Sequence, residues 1–351
     1  MDKSRGAEFG SGSVELGVKS MSKKVAVLGA GSWGTALAIS LAKNGHDVSL
    51  WGRNSEAMAQ MQSSRENKRY LSGIKIDENI VCTDDVKSAL RDACAAVYVV
   101  PAQAFRSCFE STHMLIDNGV PVINCAKGIE RGTHMLISQI AAQIRPDVKF
   151  AVLSGPSHAE ETAQSLPTML TAASKDHDVA AYVQDLFMSD ALRVYTSNDV
   201  VGTEIGGALK NIIALGAGIS DGMGYGDNAK AALMTRGIAE ISRLGIELGA
   251  DRNTFMGLSG VGDLIVTCTS MHSRNRRCGI MIGEGVDPAE ATERVGMVVE
   301  GMYTTEAAYE LAKACKVEMP ITEQIYRVIR GELPASEAVG LLMGRAKKRE
   351  D

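Results

Sequence analysis

The sequence predicts an α/β chain with a Rossmann-type, doubly wound sheet in its N-terminal part and an all-α C-terminal domain. Three observations predict this fold class. Short apolar segments of strand length alternate with helical patterns in the first half. A glycine-rich turn follows the first apolar segment. From Asn198 onward strand patterns stop and long apolar helical patterns replace them. We therefore expect a dinucleotide-binding domain over residues 23–196 and a helical substrate-binding domain over residues 197–348.

Composition limits the possible classes of function. The chain has 351 residues and a formal net charge of −5, which is unfavourable for a surface that tracks nucleic-acid phosphates. Its 7 cysteines are scattered without a Cys-x-x-Cys pair, which favours a reduced, cytoplasmic protein over a disulfide or zinc framework. No apolar run of bilayer length and no secretory segment is evident, so we expect no membrane insertion. Residues 1–22 are rich in Gly and Ser, as in a disordered tail or a cloning remnant.

The first element is a short strand at Lys24–Leu28 that enters the turn Gly29-Ala30-Gly31-Ser32-Trp33-Gly34 and then a helical pattern. Gly-x-Gly-x-x-Gly between a strand and a helix is the dinucleotide-binding motif. Gly29 permits the tight turn, Gly31 lets the backbone approach a pyrophosphate, and Gly34 allows close helix–strand packing. The pyrophosphate would lie on the helix N-terminus, where free N–H groups and the helix dipole favour an anion.

The end of the second strand, Asp47–Trp51, indicates the type of cofactor. NAD sites usually place Asp or Glu about 20 residues after the glycines, where it binds the ribose 2′-hydroxyl. Here the strand runs into Gly52-Arg53-Asn54, without an acid. Arg53 would instead meet a 2′-phosphate, so we favour NADP over NAD. The alternative is that Arg53 is a solvated loop cation.

Further apolar strands are predicted at residues 96–100, 121–125 and 151–153, with added edge strands at 169–172 and 192–195. Near-continuous apolar strands separated by helices imply a parallel sheet covered on both faces. Ligands bind beyond the carboxyl ends of such strands. Lys127, Gly155 and Ser157 follow strand ends, so they are candidates for the cleft, although Lys127 could equally lie on the surface. We expect His158 to begin a helix rather than to carry a proton.

Helices are predicted over residues 200–219, 229–248, 287–295, 304–315 and 322–329. The first helix carries Lys210 in an otherwise apolar run. A buried ammonium group without a partner is costly, so Lys210 must be paired, neutral or facing a ligand. It is either half of a structural ion pair or a catalytic lysine. In the second helix, the i,i+4 spacing of Arg236 and Glu240 predicts an ion pair.

Two polar segments of the second half add to this picture. A glycine-rich loop over residues 257–262 ends at Asp263, which could reach Lys210 as its charge partner or bind a substrate hydroxyl. In Ser273-Arg274-Asn275-Arg276-Arg277, Ser273 is a predicted helix N-cap followed by three arginines. Cations at a helix start are unfavourable without an anion, so this segment predicts a phosphate site. The alternative is a basic surface patch.

In order along the chain, these motifs resemble the NAD(P)-dependent sn-glycerol-3-phosphate dehydrogenases of bacterial type, over about residues 23–348. The motifs that carry the resemblance are Gly29-Ala30-Gly31-Ser32-Trp33-Gly34-Thr35-Ala36, Cys125-Ala126-Lys127-Gly128-Ile129-Glu130, Ser154-Gly155-Pro156-Ser157, Gly207-Ala208-Leu209-Lys210-Asn211, Gly262-Asp263-Leu264, Ser273-Arg274-Asn275-Arg276-Arg277, Val299-Glu300-Gly301 and Glu318-Met319-Pro320-Ile321-Thr322.

The resemblance implies reduction of dihydroxyacetone phosphate to glycerol 3-phosphate with NADPH or NADH, feeding glycerophospholipid synthesis. Lys210 would be the catalytic proton donor and acceptor, and we expect Asp263 and Lys127 to be catalytic residues with it. The implied substrate site comprises Lys127, Gly155, Ser157, Lys210, Asn211, Asp263, Thr267, Ser273, Arg274 and Asn275. The expected cofactor contacts are Gly29, Gly31, Ser32, Trp33, Gly34, Arg53, Lys127, Ala159, Arg274, Val298 and Glu300. We expect no metal ligand and, from the long apolar helices, a homodimer.

Two rival functions stay open at this stage. One is another NADPH-dependent two-domain reductase, acting on a β-hydroxy acid or a sugar-acid phosphate. The arginine cluster weakens its plain hydroxy-acid form, because that cluster predicts a phosphorylated substrate. The other is an NADPH-sensing binding protein without turnover, which would not need Lys210, Asp263 and a phosphate pocket on separate segments. The pKa of Lys210 is also open, since burial should lower it and Asp263 should raise it.

Overall fold

A computed structural model describes residues 23–347 and 349 of the chain. Residues 1–22 lie outside the described residues, so the expectation of a disordered tail or cloning remnant stays a prediction. The strands of the described part are β1 (Lys24–Leu28), β2 (Asp47–Trp51), β3 (Glu66–Asn67), β4 (Leu71–Lys75), β5 (Ile80–Thr83), β6 (Ala95–Tyr98), β7 (Val122–Asn124), β8 (Phe150–Ser154), β9 (Thr168–Ala173) and β10 (Leu192–Ser197).

The helices of the same part are α1 (Ser32–Lys43), α2 (Ser55–Ser64), α3 (Val86–Leu90), α4 (Phe105–Thr112), α5 (Ile137–Ile144), α6 (Ala159–Ala163), α7 (His177–Phe187), α8 (Val200–Gly222), α9 (Asp227–Glu247), α10 (Asp263–Thr269), α11 (Arg274–Gly283), α12 (Pro288–Val295), α13 (Glu300–Ala314), α14 (Pro320–Ile329) and α15 (Ala335–Met343). The predicted change from strands to helices falls between β10 and α8. The exact domain limits, residues 196 and 197, stay a prediction.

The main sheet has the strand order β10-β9-β8-β7-β6-β1-β2-β5. The strands from β5 to β8 in this order are mutually parallel, as expected. The expectation of a parallel sheet is wrong at the other end, because β9 pairs antiparallel with β8. The connection between them carries only the short helix α6, which does not take the chain back across the sheet as a parallel crossover requires. Strand β9 also lies inside the sheet, between β8 and the edge strand β10.

Both faces of the sheet are covered, which explains the apolar strands. In β1, Val25 and Val27 belong to one buried cluster, whereas Ala26 and Leu28 belong to the cluster on the other face. The strand order reverses between β1 and β6, which makes that crevice the expected ligand site of an open α/β sheet. Gly29 has φ +124° there, and a Cβ on it would lie 2.7 Å from the Val99 carbonyl oxygen.

The second half is built around α8, which α9, α10, α11, α13 and α14 surround. Close packing of α8 on α11 depends on glycines in both helices. A Cβ on Gly218 would lie 2.1 Å from the carbonyl oxygen of Arg276, and a Cβ on Gly279 would lie 2.1 Å from that of Leu215. Because neither backbone could move aside cheaply, these glycines fix how deeply α11 lies against the helix that carries Lys210.

Helix α8 also corrects the expectation that no apolar run could span a bilayer. Within the described part of the chain, α8 is long and apolar enough to do so by length and composition alone. Almost all of its most apolar stretch is buried inside the protein, however, so the same property is that of a core helix.

The predicted Arg236–Glu240 ion pair is also wrong. The buried Glu240 carboxylate instead accepts hydrogen bonds from the backbone N–H groups of Ile321 (2.7 Å) and Thr322 (3.2 Å) at the start of α14. An acid at a helix N-terminus satisfies free N–H groups and meets the positive end of the dipole. The Glu240 carboxylate therefore binds the N–H groups at the start of α14 rather than Arg236 on its own helix.

Candidate active site

The glycine turn leaves an open and uncapped helix N-terminus. Gly31 is the N-cap of α1, no side chain caps the helix, and its first turn contains no acid. A Cβ on Gly31 would meet nothing within 4 Å, whereas a Cβ on Gly34 would lie 1.8 Å from the carbonyl oxygen of Gly29. Gly34 thus serves the close packing and Gly31 the open approach. In the same turn, the indole N–H of Trp33 is buried and has no hydrogen-bond partner in the part of the chain that the structure describes. These groups fit the pyrophosphate and ribose of a dinucleotide.

The other predicted cofactor contacts around this crevice differ in exposure and in their position relative to the helices and strands. Arg53 is exposed just after β2, between Gly52 and Asn54, so no acid adjoins it in the sequence. Asn54 caps α2, and its Oδ1 accepts a 2.8 Å hydrogen bond from the N–H of Ala57. Val298 is exposed and lies two residues before the start of α13. Ser32 is the first residue of α1, and Ala159 is the buried first residue of α6, just beyond β8.

Glu300 links the two halves of the chain. Its Oε1 accepts a 3.2 Å hydrogen bond from the N–H of Ala102, which lies just after β6. Its Oε2 is buried, and none of the described residues offers it a hydrogen bond. Burial raises the pKa of Glu300, although the nearby Arg274 opposes this effect. A buried carboxyl oxygen with no partner is a group that a ligand can satisfy.

A cluster of two lysines and one aspartate joins the ends of β7 and β8 to the helical half. Lys127 Nζ donates to Asp263 Oδ2 (2.7 Å), to the carbonyl oxygen of Gly155 (2.9 Å) and to Ser157 Oγ (3.1 Å). Lys210 Nζ donates to Asp263 Oδ1 (2.5 Å) and to Thr267 Oγ1 (2.8 Å). Of the two roles expected for Asp263, charge partner of Lys210 or ligand of a substrate hydroxyl, the structure shows the first, and the same carboxylate also binds Lys127.

The ammonium groups of Lys127 and Lys210 differ in the number of N–H donors that remain without a partner among the described residues. An ammonium group has three N–H donors. All those of Lys127 have partners, whereas Lys210 keeps one for which no partner is found among residues 23–347 and 349. The side chain of Asp263 is 0% exposed and that of Lys210 only 8% exposed, so the remaining donor faces a protein-lined space rather than bulk water.

Two lysines share one carboxylate, which leaves this cluster with a net positive charge when all three groups are ionised. Burial lowers the pKa of Lys210 to about 7, against the opposing attraction of Asp263, and the charge of Lys127 lowers it further. Burial alone would raise the pKa of Asp263, but the two lysines together lower it below its usual value. The question left open by the sequence is therefore answered: burial dominates at Lys210, and Asp263 stays ionised.

Local structure explains how Asp263 reaches both lysines. The predicted glycine-rich loop is in fact a π-helical turn, Leu258–Gly262, that continues directly into α10. A Cβ on Gly206 of α8 would lie 2.1 Å from the carbonyl oxygen of Ser259, so this turn lies directly on the α8 backbone. Asp263 is the first residue of α10, where the helix dipole favours an acid.

Two buried asparagines, Asn211 of α8 and Asn275 of α11, form an amide pair. Asn275 Nδ2 donates to Asn211 Oδ1 (2.8 Å), and Asn275 Oδ1 accepts from the N–H of Gly301 (2.8 Å). These bonds connect α8, α11 and α13. Both asparagines are predicted substrate contacts, and they follow Lys210 and Arg274 in the sequence. Part of their hydrogen-bonding capacity is used within the protein.

The arginine segment divides into two kinds of residue. Ser273 is the N-cap of α11, as predicted, and its Oγ accepts from the N–H of Arg276 (3.2 Å). Arg276 forms an ion pair with Asp221 of α8 at 2.8 Å, so it is not available to a ligand. Within the described residues, no hydrogen bond or ion pair involves the side chain of Arg274 or of Arg277, and Arg277 Nε is buried without a partner.

The two unpaired arginines are one helical turn apart, and each lies in the electrostatic field of the other. Burial lowers the pKa of Arg274, the nearby Glu300 and Glu160 oppose this, and the charge of Arg277 lowers it again. Two neighbouring guanidinium groups at a helix N-terminus, without a pairing acid within hydrogen-bond range, form a site that favours an anion.

Open α/β sheet, uncapped glycine turn and buried lysine–aspartate cluster together define the class of two-part, Rossmann-type oxidoreductases. The family model of the NAD-dependent glycerol-3-phosphate dehydrogenase N-terminus matches residues 24–180, and that of the C-terminus matches residues 199–340. The chain belongs to the NAD-dependent glycerol-3-phosphate dehydrogenase family, which confirms the resemblance inferred from the motifs.

Individual relatives agree with this assignment. The chain is 53% identical over 331 residues to a glycerol-3-phosphate dehydrogenase [NAD(P)+] of Bacillus pumilus, covering 93% of this chain and 96% of the relative. A protein of the same name from Enterococcus faecalis is 52% identical, with 94% and 98% covered. The crystal structure of glycerol-3-phosphate dehydrogenase from Coxiella burnetii superimposes with a TM-score of 0.89 at 39% identity, covering 92% of this chain and 99% of that one.

Proposed function

We propose that this chain reduces dihydroxyacetone phosphate to sn-glycerol 3-phosphate with NADPH or NADH, and catalyses the reverse reaction. The observation that carries the proposal is the third N–H donor of Lys210, for which no partner is found among the described residues. Asp263 and Thr267 bind the other two donors and fix the position of the buried amine. The names of the relatives supply the substrate and the pair of cofactors.

The bound reduced nicotinamide supplies a hydride to the ketone carbon. The protein's part is to receive the negative charge that develops on the ketone oxygen. The spare N–H of Lys210 donates a hydrogen bond to that oxygen and then transfers its proton, which a lowered pKa makes easier. Asp263 and Thr267 keep the amine in the same position before and after the transfer, and Lys127 holds Asp263 from the other side.

The phosphate of the substrate binds at the start of α11. Arg274 and Arg277 supply guanidinium donors, and the α11 N-terminus adds its dipole. Because the phosphate is bound away from the ketone, its binding fixes the orientation of the carbonyl group toward Lys210. The binding energy of the phosphate thereby increases the rate of the reaction. The buried Asn211–Asn275 pair holds α8 and α11 in register, so the two ends of the substrate site keep their spacing.

The crevice between β1 and β6 would hold the cofactor, and the uncapped N-terminus of α1 would bind its pyrophosphate. Glu300 and Trp33 offer the unpartnered polar atoms that face a ligand from either half of the chain. We propose a preference for NADPH, supported by the exposed Arg53 after β2 and by the lack of an acid there. Arg53→Glu should reverse the ratio of kcat/KM for NADPH to that for NADH.

The test is an absorbance assay of nicotinamide oxidation with purified protein. We expect turnover with dihydroxyacetone phosphate, and none of comparable kcat/KM with β-keto acids or sugar-acid phosphates. Turnover of one of those compounds in place of dihydroxyacetone phosphate would favour the rival reductase. Binding of NADPH without turnover of any ketone would favour a sensing protein.

We also propose a cytoplasmic location and a homodimer. The free state of all seven cysteines, four of them buried, suits a reducing compartment. Apolar side chains on the surface of the helical half, such as Ile265 (47% exposed) and Met271 (57% exposed), favour a self-association surface. Light scattering coupled to size-exclusion chromatography measures the mass directly, and a monomeric mass at micromolar concentration would contradict the dimer.

A further inference from the structure

Glu204 is a buried acid of α8 that the mechanism above does not use. Its Oε1 accepts a hydrogen bond from the backbone N–H of Ser138 (2.9 Å), and its Oε2 accepts one from Ser138 Oγ (2.5 Å). Ser138 is the second residue of α5. Glu204 therefore caps a helix of the sheet-bearing half, residues 23–196, from a helix of the helical half.

Helix α5 depends on this cap from outside. Its N-cap residue is Leu136, whose side chain has no acceptor for the free N–H groups of the first turn. Helix α5 also packs on the strands that flank the crevice proposed for the cofactor, because Ile140 belongs to the same buried cluster as Leu28 of β1 and Tyr98 of β6. Glu204 thus joins α8 to the part of the protein that would hold the nucleotide.

Glu204 is the first of three residues along α8 that lead to the reaction centre. Glu204, Gly207 and Lys210 are spaced by three residues, so they lie on one side of the helix. A Cβ on Gly207 would lie 2.8 Å from Ser154 Oγ, so α8 lies directly against the end of β8 there. Lys210 follows about 9 Å further along the same continuous helix. A displacement of α8 at Glu204 is therefore passed on to the amine.

Resting on the proposed function, we infer that Glu204 is a positioning residue: by binding α5, it sets where the Lys210 amine lies relative to the cofactor crevice. Glu204 acts through α8 and does not touch the substrate. Hydrogen bonds are directional, so a pair of them fixes one position of the helix, whereas apolar packing tolerates sliding. The required precision is high, since misplacing a reacting group by about 1 Å can lower a rate by about 10²-fold.

The protein contains a matched acid that lacks this link between the two halves. Glu240 of α9 is buried and caps α14 through the N–H groups of Ile321 and Thr322, and Thr322 Oγ1 also donates to its Oε2 (3.3 Å). Both acids cap a helix from another helix, but α9 and α14 belong to the same half. Burial raises the pKa of each carboxyl group to about 7, against the hydrogen bonds that each accepts, so one assay pH treats them alike.

The experiment compares Glu204→Met with Glu240→Met. Methionine keeps the length of the side chain but offers no oxygen to the helix end, so both variants should lower the melting temperature by similar amounts. Only Glu204→Met should lower kcat for dihydroxyacetone phosphate, counted per NADPH-binding site, by about tenfold or more. KM for dihydroxyacetone phosphate should stay within a few-fold of wild type, because Lys210 and the proposed phosphate site move together with the helical half.

A conservative variant tests whether the hydrogen bonds themselves matter. Glu204→Gln keeps an acceptor for the N–H of Ser138 and a donor for its hydroxyl, so kcat should return to within a few-fold of wild type. If Glu204→Met does not fold, Ser138→Ala and Thr322→Val carry the same comparison, because each removes only the hydroxyl from its cap. Ser138→Ala should then lower kcat severalfold and Thr322→Val should not.

Three results would overturn the inference alone: an unchanged kcat in Glu204→Met, an equal fall of kcat in Glu240→Met, or a Glu204→Gln variant as slow as Glu204→Met. With the hydroxyl variants, equal values of kcat in Ser138→Ala and Thr322→Val would do the same. If the wild-type protein does not turn over dihydroxyacetone phosphate, the proposed function fails and this inference fails with it.

Discussion

The two ends of the candidate site hold their cations in opposite ways. At the ketone end, Lys127 has a partner for each of its donors and Lys210 has partners for all but one. At the phosphate end, the side chains of Arg274 and Arg277 have no hydrogen bond or ion pair within residues 23–347 and 349. Arg276, between them in sequence, donates to the carboxylate of Asp221 and to the carbonyl oxygen of Thr269.

This difference follows from what each cation must do. A group that gives up and regains a proton needs a fixed position and a tuned pKa in both states, and internal partners supply these. A group that binds and releases an anion works best without an internal partner, because such a partner would have to be displaced each time the anion binds. Each end therefore predicts a different response to mutation: chemistry should suffer at one, and binding at the other.

The largest effect is expected for Lys210→Met. Methionine keeps the length and apolar stem of the side chain but cannot donate to the ketone oxygen. We expect kcat for dihydroxyacetone phosphate to fall by about 10³-fold, the range of a general acid combined with charge stabilisation. Binding of NADPH, followed by protein fluorescence, should stay within a few-fold of wild type.

The control for this variant is Lys313→Met, which removes an exposed lysine of α13 and should leave kcat unchanged. Substantial turnover by Lys210→Met would remove Lys210 from its role. In that case the spare donor would be a structural feature, as the alternative interpretation of the sequence has it.

The next largest effect sharpens the contrast among the arginines. Arg274→Gln should raise KM for dihydroxyacetone phosphate, and weaken binding of inorganic phosphate, by about 10²-fold because a charge-assisted contact is lost. Its melting temperature without ligand should hardly change, since no partner loses a bond. Arg276→Gln should do the reverse, lowering the melting temperature because it leaves Asp221 without its guanidinium partner.

Steady-state kinetics measures KM for both variants, and differential scanning fluorimetry measures their melting temperatures. Together they test whether Arg274 binds substrate and Arg276 stabilises the fold. A change confined to NADPH affinity in Arg274→Gln would assign this arginine to the nucleotide rather than to the substrate phosphate. Equal losses of stability in the two variants would contradict the division between paired and unpaired arginines.

Local patterns in the sequence predicted the parts of the fold that depend on local rules. The glycine turn, β1 and β2 were placed correctly because the motif dictates its own backbone geometry. Helix α8 and the Lys210–Asp263 pair were predictable because a lone charge in an apolar run must find a partner. The α11 N-cap at Ser273 follows from residue type and position.

What the sequence left open depends on tertiary competition for partners. The sharing of Asp263 by two lysines, the engagement of Arg276 by Asp221 and the capping of α14 by Glu240 each join residues far apart in the chain. The antiparallel pairing of β9 likewise depends on how a short connection crosses the sheet edge. Residue types name the candidates for such contacts, but only packing decides which candidate wins.

The smallest effect concerns pH and tests whether the ketone end is tuned as proposed. Burial lowers the pKa of Lys210 to about 7. Reduction needs the protonated amine, so its kcat should fall by about tenfold per pH unit above that value. Oxidation of glycerol 3-phosphate needs the neutral amine and should rise over the same interval. A rate of reduction that is flat from pH 6 to pH 9, at saturating substrate, would contradict the tuning.

The same lowered pKa has a consequence for stability, with a definite sign. The unfolded chain keeps the Lys210 proton up to its usual pKa of 10.5, whereas the folded protein releases it near 7. Between these values the unfolded state binds more protons, so the free energy of unfolding should rise with pH. Urea titrations at intervals across this range measure the slope. In Lys210→Met the part of the slope due to this lysine should disappear, whereas Lys313→Met should keep it.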